Sequence, residues 1–548
     1  LSSYEIGHGH AVAKGIAFTA SLSYDLGWCS IDCRDRIHAL LEKFGYDLSI
    51  DFPACDIANA MASDKKNAGD AIKFIVSSDI GQSKIKLITL TQLGEILATY
   101  SEICPESVAI SHRGAPLFAP TRSVSAPPSK SYLHREIIAA MLSGHELELD
   151  AQEASEDIIA TFEAVKIISN HANYSAVGIL ESSIVSEDDK LILECKESGS
   201  TLRFLLPVVA ALGLDAEFKL TGRLRERPMQ QLISQLEEHD ASITLSDSGS
   251  ISISASSSHI TPGEFNFTNP ESSQYISGLL FALPLLNGDS VIRVHNNLES
   301  YSYVLMTLDV LGKYGIKVDY SHTNKEWVFN IPGNQTYTFT DISPEGDWSN
   351  AAFLLALGVF GKAPLRINNL PLPSKQGDIK ILDLLEEFGV TVNRYSDILD
   401  VNAGCVDIFP CKELSAINSI DASGFPDLVP ILALIACVAS GKTVIRNAER
   451  LRYKESDRLT ATCKVLRSLG ADISETEDGL IIEGVETLRG SYEGDGCGDH
   501  RIIMMIAVSS LISDGIIRIH EASAVAKSYP NFFEVIKLLG FDDNLELV

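Results

Sequence analysis

The segment GDHRIIMMIAVSSLISDGIIRIH, residues 498–520, shows the pattern that decides the fold. A polar turn with a glycine opens an apolar stretch of helix length, and a short run rich in isoleucine follows as a strand. Five further stretches repeat this pattern, and they begin at Ser129, Gly199, Ser272, Gly346 and Pro426. The six starts lie 70 to 80 residues apart, so each repeat is longer than a solenoid unit. We predict six small α/β modules, each built on one buried helix.

A second helix recurs between the buried ones, and its pattern is amphipathic. Examples of it are MQQLISQLEEHDASI, VLMTLDVLGKYGIKV, ILDLLEEFGVTV, TATCKVLRSLGADI and NFFEVIKLLGF. Each module therefore has one buried and one half-buried helix, and the six modules make roughly two domains of three.

The stretch LRYKESDRL, residues 451–459, precedes one of these amphipathic helices. Lys454 and Arg458 are four residues apart and would share one face of a helix. Glu455 lies within reach of the same face. We therefore predict that this stretch is the charged opening turn of the helix that ends at Gly470.

The starts of the six buried helices predict an anion site. Each start has free N–H groups and a partial positive charge, so starts that converge bind an anion without net basic charge in the chain. Cations accumulate near the starts of elements, namely Lys130, Arg135, Arg203, Arg227, Lys454, Arg458, Arg501 and Lys527. The alternative is that these cations pair with the surplus carboxylates, and the sequence pattern favours the anion site.

Composition limits the partners and the compartment. The chain has 548 residues, a net charge of −29 and a pI near 4.8, so its field repels nucleic acid and anionic membranes. The apolar runs 428–440 and 502–512 are too short to span a bilayer. The ten cysteines form no CxxC pair, which is typical of a reduced, cytoplasmic protein. Because the chain starts at Leu1 and its first methionine is Met61, we expect a fragment of a longer protein.

Residues 1–105 differ from the repeated region. Helical patterns dominate there, and strands are expected only near 72–76 and 85–90. Residues 106–116 contain glycine and proline without a helical period, which indicates a linker. We therefore predict a mainly helical domain that precedes the six modules.

Nine motifs in order make the repeated region, about residues 117–548, resemble 5-enolpyruvylshikimate-3-phosphate (EPSP) synthase. They are PPSKSYLHR, ESGSTLRF, RERPM, ESSQYISG, EGDWSNAAF, FPD, RYKESDRL, GDHR and AKSYPNFF. The resemblance implies transfer of the enolpyruvyl group of phosphoenolpyruvate to the 5-hydroxyl of shikimate 3-phosphate, with release of phosphate, on the route to chorismate and the aromatic amino acids. It implies no cofactor for this reaction. Both substrates carry a phosphate and a carboxylate, so the site needs several cations.

The resemblance also assigns roles to residues that match its motifs. Shikimate 3-phosphate would be held by Lys130, Ser131, Arg135, Ser272, Ser273, Gln274, Ser300, Asp427 and Lys454, with Tyr303 stacking nearby. Phosphoenolpyruvate would be held by Lys130, Gly199, Arg227, Gln274, Arg458, Arg501 and Lys527. Asp427 resembles the family's base, and Glu455 is the second carboxylate for proton transfer. Lys130 and Lys527 would stabilise the departing phosphate.

The fold that the resemblance implies is α/β, the two-domain enolpyruvyl transferase fold of six βαββαβ repeats. One domain would combine residues 117–130 with 343–548, and the other would span residues 131–342. Arg450 and Glu197 depart from the family pattern, since they stand where other members have asparagine. We expect neither to touch the main set of cations, and the role of Arg450 stays open. Gly199 leaves room that an alanine would remove, so glyphosate is expected to inhibit.

The first hundred residues resemble the C-terminal helical domain of 3-dehydroquinate synthase, through HGHAVAKG and SDKKNAGDAIKFIVSSDIG. His8 matches a metal-binding histidine of that family, and Lys65 or Lys66 matches a substrate-binding lysine. The resemblance implies a partial domain, residues 1–105, that is inactive as it stands. NAD and a divalent metal would bind only if the upstream half were present. A fusion of two shikimate-pathway enzymes is the interpretation, as in the AROM polypeptide of fungi.

Two other functions stay open from the sequence. A UDP-N-acetylglucosamine enolpyruvyl transferase shares the fold and phosphoenolpyruvate, but it carries a reactive loop cysteine, and RERPM and KESDRL point away from it. A non-catalytic remnant that only binds phosphorylated ligands is the second alternative. Such a remnant would have no need of both Asp427 and Glu455.

Overall fold

The protein is represented by a computed structural model with side chains. It describes residues 15–17, 19–20, 23, 29, 31–44, 71–79, 82–89, 107–111, 123–145, 154–172, 190–246, 249–254, 260–342, 344–396, 404–541 and 545–547. The chain falls into two compact units. One unit consists of residues 1–103, 118–123 and 533–542, and the other of residues 104–117, 124–532 and 543–548.

In the early part of the chain, the first unit contains a helix and a β-hairpin among its described residues. The helix is α1, Ile31–Lys43, and it buries Cys33. The hairpin pairs β1, Ala71–Asp79, with β2, Gln82–Thr89, in antiparallel register. The two strands predicted from the sequence are therefore confirmed. His8, Lys65 and Lys66 lie outside the described residues.

The remaining strands are short and fall into small mixed sheets. They are β3 (Ser107–Ser111), β4 (Ser123–Ser125), β5 (Leu191–Lys196), β6 (Ala216–Leu220), β7 (Ser242–Leu245), β8 (Ile251–Ser254), β9 (Glu264–Thr268), β10 (Ser290–His295), β11 (Asp319–His322), β12 (Glu326–Ile331), β13 (Leu365–Asn368), β14 (Val392–Ser396), β15 (Gly404–Ile408), β16 (Ile420–Asp421), β17 (Lys442–Arg446), β18 (Asp472–Glu475), β19 (Leu480–Glu483), β20 (Tyr492–Asp495), β21 (Ile516–His520) and β22 (Leu545–Leu547).

The sheets repeat one arrangement. Their strand orders are β5-β6-β8-β7, β11-β12-β10-β9, β14-β15-β13-β4, β16-β17-β19-β18 and β20-β21-β3-β22. In the first of them β5 and β6 are parallel, while β8 is antiparallel to both β6 and β7. Five of the six predicted modules thus have a four-stranded sheet in the described part of the chain. The strand expected at the end of the first repeat, residues 146–149, lies outside it.

Helices connect these strands. They are α2 (Lys130–Leu142), α3 (Glu156–Ala172), α4 (Gly199–Leu212), α5 (Gln230–Glu238), α6 (Ser273–Ala282), α7 (Tyr301–Lys313), α8 (Trp348–Phe360), α9 (Ile381–Glu387), α10 (Val429–Cys437), α11 (Arg458–Ser468), α12 (His500–Ser509) and α13 (Phe532–Ile536). The six helices predicted to be buried are α2, α4, α6, α8, α10 and α12, and almost every residue of each is shielded from solvent. Among the described residues, no helix combines the length and apolarity needed to cross a bilayer.

The buried helices α4 and α6 approach each other closely at Gly278. A Cβ there would lie 2.1 Å from the carbonyl oxygen of Arg203, so this approach requires glycine. Phe204 of α4 and Phe281 of α6 also meet, with ring centroids 5.9 Å apart, and truncating either to alanine would cost about 3–5 kcal/mol. This packing fixes the starts of the two helices relative to each other.

The strand β3 corrects the linker predicted over residues 106–116. Its five residues pair antiparallel with β21 and with β22. The sequence SVAIS alternates large apolar and small side chains, a pattern typical of a strand. Its partners lie more than 400 residues away in the chain, so the sequence near β3 does not reveal them.

The charged stretch LRYKESDRL is only partly helical, so the predicted opening turn is wrong. Glu449–Tyr453 forms a 3-10 turn, and α11 begins at Arg458. Lys454 lies between them with extended backbone, at φ −88° and ψ −161°. The physical reason is Asp457, whose side chain accepts a hydrogen bond from the backbone N–H of Thr460 and so caps the helix there.

Candidate active site

The starts of the six buried helices line one cavity of about 570 Å³ in the second unit, and α10 does so through the 3-10 turn Pro426–Leu428 that leads directly into it. The lining residues at these starts are Lys130, Ser131, Gly199, Ser200, Ser272, Ser273, Gln274, Asp347, Ser349, Pro426, Asp427, His500 and Arg501. The predicted convergence of helix starts is therefore confirmed. Its consequence is a site where several partial positive charges point to a common volume.

Local sequence explains why five of these helices begin where they do. The side chains of Ser129, Ser198, Ser272, Asp347 and Asp499 each accept a hydrogen bond from a backbone N–H in the first turn of their helix. Each cap satisfies one of the four N–H groups that a helix start leaves free. The remaining N–H groups of each helix start stay available for other capping contacts or for a ligand.

Charged side chains add to the helix starts, and the two signs balance. The cations in the cavity wall are Lys130, Arg135, Arg203, Arg227, Arg450, Lys454, Arg458 and Arg501. The carboxylates in the wall are Asp157, Glu271, Glu299, Asp347, Asp427, Glu449, Glu455 and Asp478. A chain with net charge −29 thus keeps a cavity wall that is close to neutral. A multiply charged anion can compete there for the cations.

Asp427 lies at the centre of one cluster of cations. Its Oδ1 is 2.7 Å from Arg458 Nη1 and 3.6 Å from Lys454 Nζ, and its Oδ2 is 3.0 Å from Arg501 Nη2. Burial opposes ionisation, but Arg501, Lys454 and Arg458 outweigh it and hold the pKa of Asp427 well below its usual range. Asp427 is therefore an anion at neutral pH.

Glu455 is the second ionised carboxylate. It contacts Arg458 Nη2 at 2.5 Å and Arg227 Nη2 at 3.2 Å. Burial again opposes its charge, and Arg458 and Arg227 keep its pKa well below the usual value. Arg458 is 1% exposed and also pairs with Asp499 at 2.7 Å, so three carboxylates fix its position. One arginine therefore joins Glu455 and Asp427.

Lys130 and Lys527 contact each other in a second group of charged residues. Lys130 Nζ pairs with Asp157 at 2.9 Å and donates to the carbonyl oxygen of Lys527 at 3.4 Å. Lys527 Nζ donates to the carbonyl oxygen of Gly498 at 2.9 Å and forms an ion pair with Glu197. The expectation that Glu197 touches none of the main cations is therefore wrong. Its carboxylate neutralises Lys527 directly.

Arg450 contacts none of the main cations among the described residues, and its own partners indicate its role. It lines the same cavity as the main cations, its Nε pairs with Glu299 at 2.6 Å, and its Nη2 donates to the carbonyl oxygen of Pro270 at 2.6 Å. Glu299 precedes the start of α7, and Pro270 precedes the start of α6. Arg450 thus holds together two turns that carry the predicted serines.

Arg135, Gln274 and Tyr303 are held by polar contacts inside the wall. The guanidinium of Arg135 donates to Thr307 Oγ1 at 2.8 Å and to the carbonyl oxygen of Tyr303 at 2.9 Å. Burial lowers the pKa of Arg135 to about 10, so it keeps its charge at neutral pH. Gln274 accepts from Arg203 at 2.8 Å and donates to Ser200 at 2.9 Å.

Several arginine donors in the wall have no hydrogen-bond partner among the described residues. They are Nε and Nη1 of Arg501, Nε of Arg227 and Nε of Arg203, and all are shielded from solvent. Buried donors are rarely left unpaired, because each costs about 1–3 kcal/mol. These groups favour a ligand that brings anionic acceptors into the cavity.

Gly199 keeps the wall open at the start of α4. A Cβ at this position would lie 3.0 Å from Arg227 Nη1 and 3.3 Å from Arg203 Nη1. It would also lie 3.6 Å from Gln274 Oε1. A methyl group would therefore press on two of the cations that the wall presents.

Most of the residues predicted from the sequence meet in this cavity. Those in its wall are Lys130, Ser131, Arg135, Gly199, Arg227, Ser272, Ser273, Gln274, Ser300, Tyr303, Asp427, Lys454, Glu455, Arg458 and Arg501. Lys527 lies next to it through its contact with Lys130. His8 lies outside the described residues, and among the described ones no cluster of three His, Cys, Asp or Glu side chains suits a metal ion.

The cavity also contains residues to which the resemblance assigned no substrate, although Arg203 was among the cations predicted for an anion site. Arg203 and Ser200 follow Gly199, and Asp347 and His500 belong to the motifs EGDWSNAAF and GDHR. Their place in these motifs is a signal that could have identified them. Asp157 stands in no such motif, and only its ion pair with Lys130 reveals it.

The fold and this site define an α/β protein with a cavity between convergent helix starts whose cations suit multiply charged anions. The sequence profile of EPSP synthase (3-phosphoshikimate 1-carboxyvinyltransferase) matches residues 120–536. The 3-phosphoshikimate 1-carboxyvinyltransferase of Clostridium kluyveri is 40% identical over 422 residues, which cover 76% of this chain and 94% of the relative. That of Clostridium acetobutylicum is 38% identical and covers 76% of this chain and 95% of the relative. The chain belongs to the EPSP synthase family, as its motifs predicted.

Solved structures show the same fold. The EPSP synthase of Acinetobacter baumannii superposes with a TM-score of 0.62 at 22% identity, over 80% of this chain and 99% of that one. The enolpyruvyl transferase NikO of Streptomyces tendae gives a TM-score of 0.56 at 19% identity, over 81% of this chain and 99% of that one. The predicted enolpyruvyl transferase fold is therefore confirmed.

The beginning of the chain matches a second family. The profile described as 3-dehydroquinate synthase C-terminal matches residues 1–67. The predicted resemblance of this part to that enzyme is confirmed, and the match is consistent with a fusion of two enzymes.

Proposed function

We propose that this protein transfers the enolpyruvyl group of phosphoenolpyruvate to the 5-hydroxyl of shikimate 3-phosphate and releases phosphate. The observation that carries the proposal is one cavity in which six helix starts, eight cations and eight carboxylates meet. Two of these carboxylates, Asp427 and Glu455, are kept ionised by their arginine partners. Two phosphates and two carboxylates enter with the substrates, and such anions bind to arginine forks and helix starts. The membership of the family supports the same reaction.

The two substrates would divide the cavity between them. Shikimate 3-phosphate is assigned to Lys130, Ser131, Arg135, Ser272, Ser273, Gln274, Ser300, Tyr303, Asp427 and Lys454. Phosphoenolpyruvate is assigned to Lys130, Gly199, Arg227, Gln274, Arg458, Arg501 and Lys527. The unpartnered donors of Arg227 and Arg501 support the second assignment, since they lie on the side of Glu455 and Asp427.

The reaction needs a base, and Asp427 is proposed for it. A carboxylate paired with Arg458, Arg501 and Lys454 holds a proton weakly. Substrate anions that bind to the same cations take over part of that pairing, so the pKa of Asp427 rises when substrates enter. Asp427 then accepts the proton of the attacking hydroxyl group while the hydroxyl oxygen bonds to the enolpyruvyl carbon.

Glu455 is proposed for the proton transfer at the methylene carbon. Phosphoenolpyruvate takes over part of the pairing of Arg458 and Arg227, so Glu455 takes up a proton from solvent. Glu455 gives this proton to the methylene carbon during addition and removes a proton from that carbon during elimination of phosphate. Arg458 and Arg227 hold Glu455 in place, and each would shift toward phosphoenolpyruvate when it binds. Lys130 and Lys527 would stabilise the negative charge on the departing phosphate.

Release of phosphate from phosphoenolpyruvate with shikimate 3-phosphate tests the proposal. We expect release by the wild type and a loss of about 100-fold to 1,000-fold in Lys130→Ala. Glu455→Gln should lower kcat by about 100-fold or more while KM changes little. Wild type that releases no phosphate would reject the reaction. Release with UDP-N-acetylglucosamine instead would identify the related transferase, and binding without turnover would indicate a remnant.

For the beginning of the chain we propose a partial 3-dehydroquinate synthase domain that is inactive alone. NAD and a divalent metal would bind only together with the other half of that enzyme. The experiment measures dehydroquinate formation by this chain, with and without that half supplied as a separate protein. Activity without it would reject the proposal, and activity only with it would support the fusion.

A further inference from the structure

Asp378 is a buried carboxyl group beside the candidate site to which the proposed reaction gives no role. It lies in the 3-10 turn Gly377–Lys380, and it is 3% exposed. Its Oδ2 accepts a hydrogen bond from Ser349 Oγ, and its Oδ1 has no hydrogen-bond partner among the described residues. The three cations that pair with Asp427 have no counterpart at Asp378 in the described part of the chain.

The hydroxyl group of Tyr303 lies between the two carboxyl groups. Its oxygen is 3.4 Å from Asp378 Oδ2 and 3.2 Å from Asp427 Oδ2. A phenol carries one proton, so it donates to only one of these oxygens at a time. The carboxyl group that does not receive the Tyr303 proton needs a proton of its own. Otherwise its lone pairs and those of the Tyr303 oxygen would face each other in a buried place.

The cations decide which carboxyl group carries that proton. Asp427 is ionised by its three ion pairs, so the proton belongs to Asp378. Burial and the neighbouring charge of Asp427 raise the pKa of Asp378 to about 7, in agreement with this assignment. The titratable and charged groups that face Asp378 are Tyr303, Asp347, Asp427 and Arg501, and of these Arg501 favours its anion.

We propose that Asp378 is a positioning residue that acts on Asp427 through the Tyr303 hydroxyl group. Protonated Asp378 directs the Tyr303 proton to Asp427, which stabilises the Asp427 anion and makes it a weaker base. When Asp378 loses its proton, that hydrogen bond is shared and a second negative charge appears, so Asp427 accepts the substrate proton more readily. Asp378 exchanges its proton with solvent and makes no bond to substrate. The inference rests on the proposed role of Asp427 as the base.

The pH dependence of turnover tests this inference. The wild type should show a rise in kcat near pH 7 that follows the ionisation of Asp378. Asp378→Asn places a neutral amide there at every pH. We expect the rise to disappear and kcat at about pH 8.5 to fall about tenfold, while both KM values change less than about twofold. The inference would be overturned if kcat of Asp378→Asn still rose with pH around the same midpoint, or if this variant changed KM and not kcat.

Two further variants keep the test valid if Asp378→Asn folds poorly. Ser349→Ala removes a hydrogen bond that favours the Asp378 anion, so the rise in kcat should move to higher pH. Tyr303→Phe removes the link, so adding Asp378→Asn to it should lower kcat no further. An unmoved midpoint in Ser349→Ala, or additive losses in the double variant, would contradict the proposed path.

Difference infrared spectroscopy separates this inference from the proposed function. The carbonyl band of a protonated carboxyl group should titrate near pH 7 in the wild type, and its Asp378 component should be absent in Asp378→Asn. A wild type with that component but without phosphate release would reject the proposed reaction and retain the protonated Asp378. Spectra of wild type and Asp378→Asn that do not differ in this band would reject the inference.

Discussion

At the scale of single residues, the site depends on ion pairs that a substrate must compete with. Asp427 and Glu455 share Arg458, and Glu197 neutralises Lys527. Each pair keeps a charge stable in a buried wall, where an unpaired charge would be costly. The same pairs set how strongly the cations bind a new anion, so substitutions of the carboxylates change affinity as well as chemistry.

Glu197→Gln should strengthen the binding of phosphoenolpyruvate. The amide cannot neutralise Lys527, so the lysine offers its full charge to the substrate. We expect KM for phosphoenolpyruvate to fall about threefold to tenfold at low ionic strength. Glu194→Gln is a matched control, because Glu194 pairs with Lys219 on the surface. A higher KM in Glu197→Gln alone would show that Glu197 orients Lys527 instead.

Gly199→Ala should reduce inhibition by glyphosate. The added methyl group would lie 3.0 Å and 3.3 Å from the ends of Arg227 and Arg203, which can shift because both side chains are long. We expect the inhibition constant to rise at least about tenfold and KM for phosphoenolpyruvate to rise less. The control is Gly312→Ala, where a Cβ meets no atom within 4 Å. If the inhibition constant and KM for phosphoenolpyruvate changed equally, the methyl group would act only by displacing the two arginines.

At the scale of elements, the site is a product of where helices begin. Each of the six buried helices starts at the cavity, and caps such as Asp347 and Asp499 set those starts. The 3-10 turn Glu449–Tyr453 is held against the turns before α6 and α7, since Arg450 contacts Glu299 and the carbonyl oxygen of Pro270. Loops of different modules are thereby fixed to each other.

Arg450→Met should weaken the binding of shikimate 3-phosphate. Without the guanidinium, the turns before α6 and α7 lose their shared partner, and their serines lose part of their fixed spacing. We expect KM for shikimate 3-phosphate to rise about fivefold to tenfold with kcat nearly constant. Arg446→Met on the exposed end of β17 is the control.

A double-variant cycle checks that this effect passes through Glu299. The losses in Arg450→Met and Glu299→Gln should be less than additive, because both remove the same ion pair. Additive losses would show that Arg450 acts on the substrate directly and not through the turns.

At the scale of the whole molecule, buried carboxyl groups link stability to pH. Burial raises the pKa of Glu136 to about 7, while the opposing charge of Lys313 lowers it only in part. The folded protein therefore binds a proton more tightly than the unfolded chain between about pH 4.5 and 7. Since the unfolded state binds fewer protons in that range, stability from this group falls as the pH rises through it.

Glu136→Gln should therefore stabilise the protein at high pH. The amide carries no charge to bury, so we expect a gain of about 2–3 kcal/mol above pH 7 that vanishes below about pH 4.5. Thermal unfolding of wild type and variant at several pH values measures this difference. Glu163→Gln on the exposed side of α3 is the control. A gain that is constant with pH would mean that the Glu136 carboxyl group has the same pKa in the folded protein and in the unfolded chain.

The sequence by itself determined the repeated modules and most of the members of the site. Apolar runs must be buried, and polar turns with capping side chains must start helices, so the six helices and their charged starts follow from local pattern. The motif residues followed by resemblance. Local pattern failed at LRYKESDRL because the cap at Asp457 overrode the charge spacing, and it failed at Ser107–Ser111 because the partner strands are distant.

Tertiary structure alone decided which charges meet. Glu197 and Lys527 are 330 residues apart in the chain, and the spacing of neither predicts the other. The same holds for Arg450 with Glu299 and for Tyr303 with Asp378 and Asp427. The energies that set these pKa values fall steeply with distance and rise with burial, and both quantities exist only once the modules pack. The sequence therefore identified the charged residues of the site, and the packed fold determined which of them form pairs.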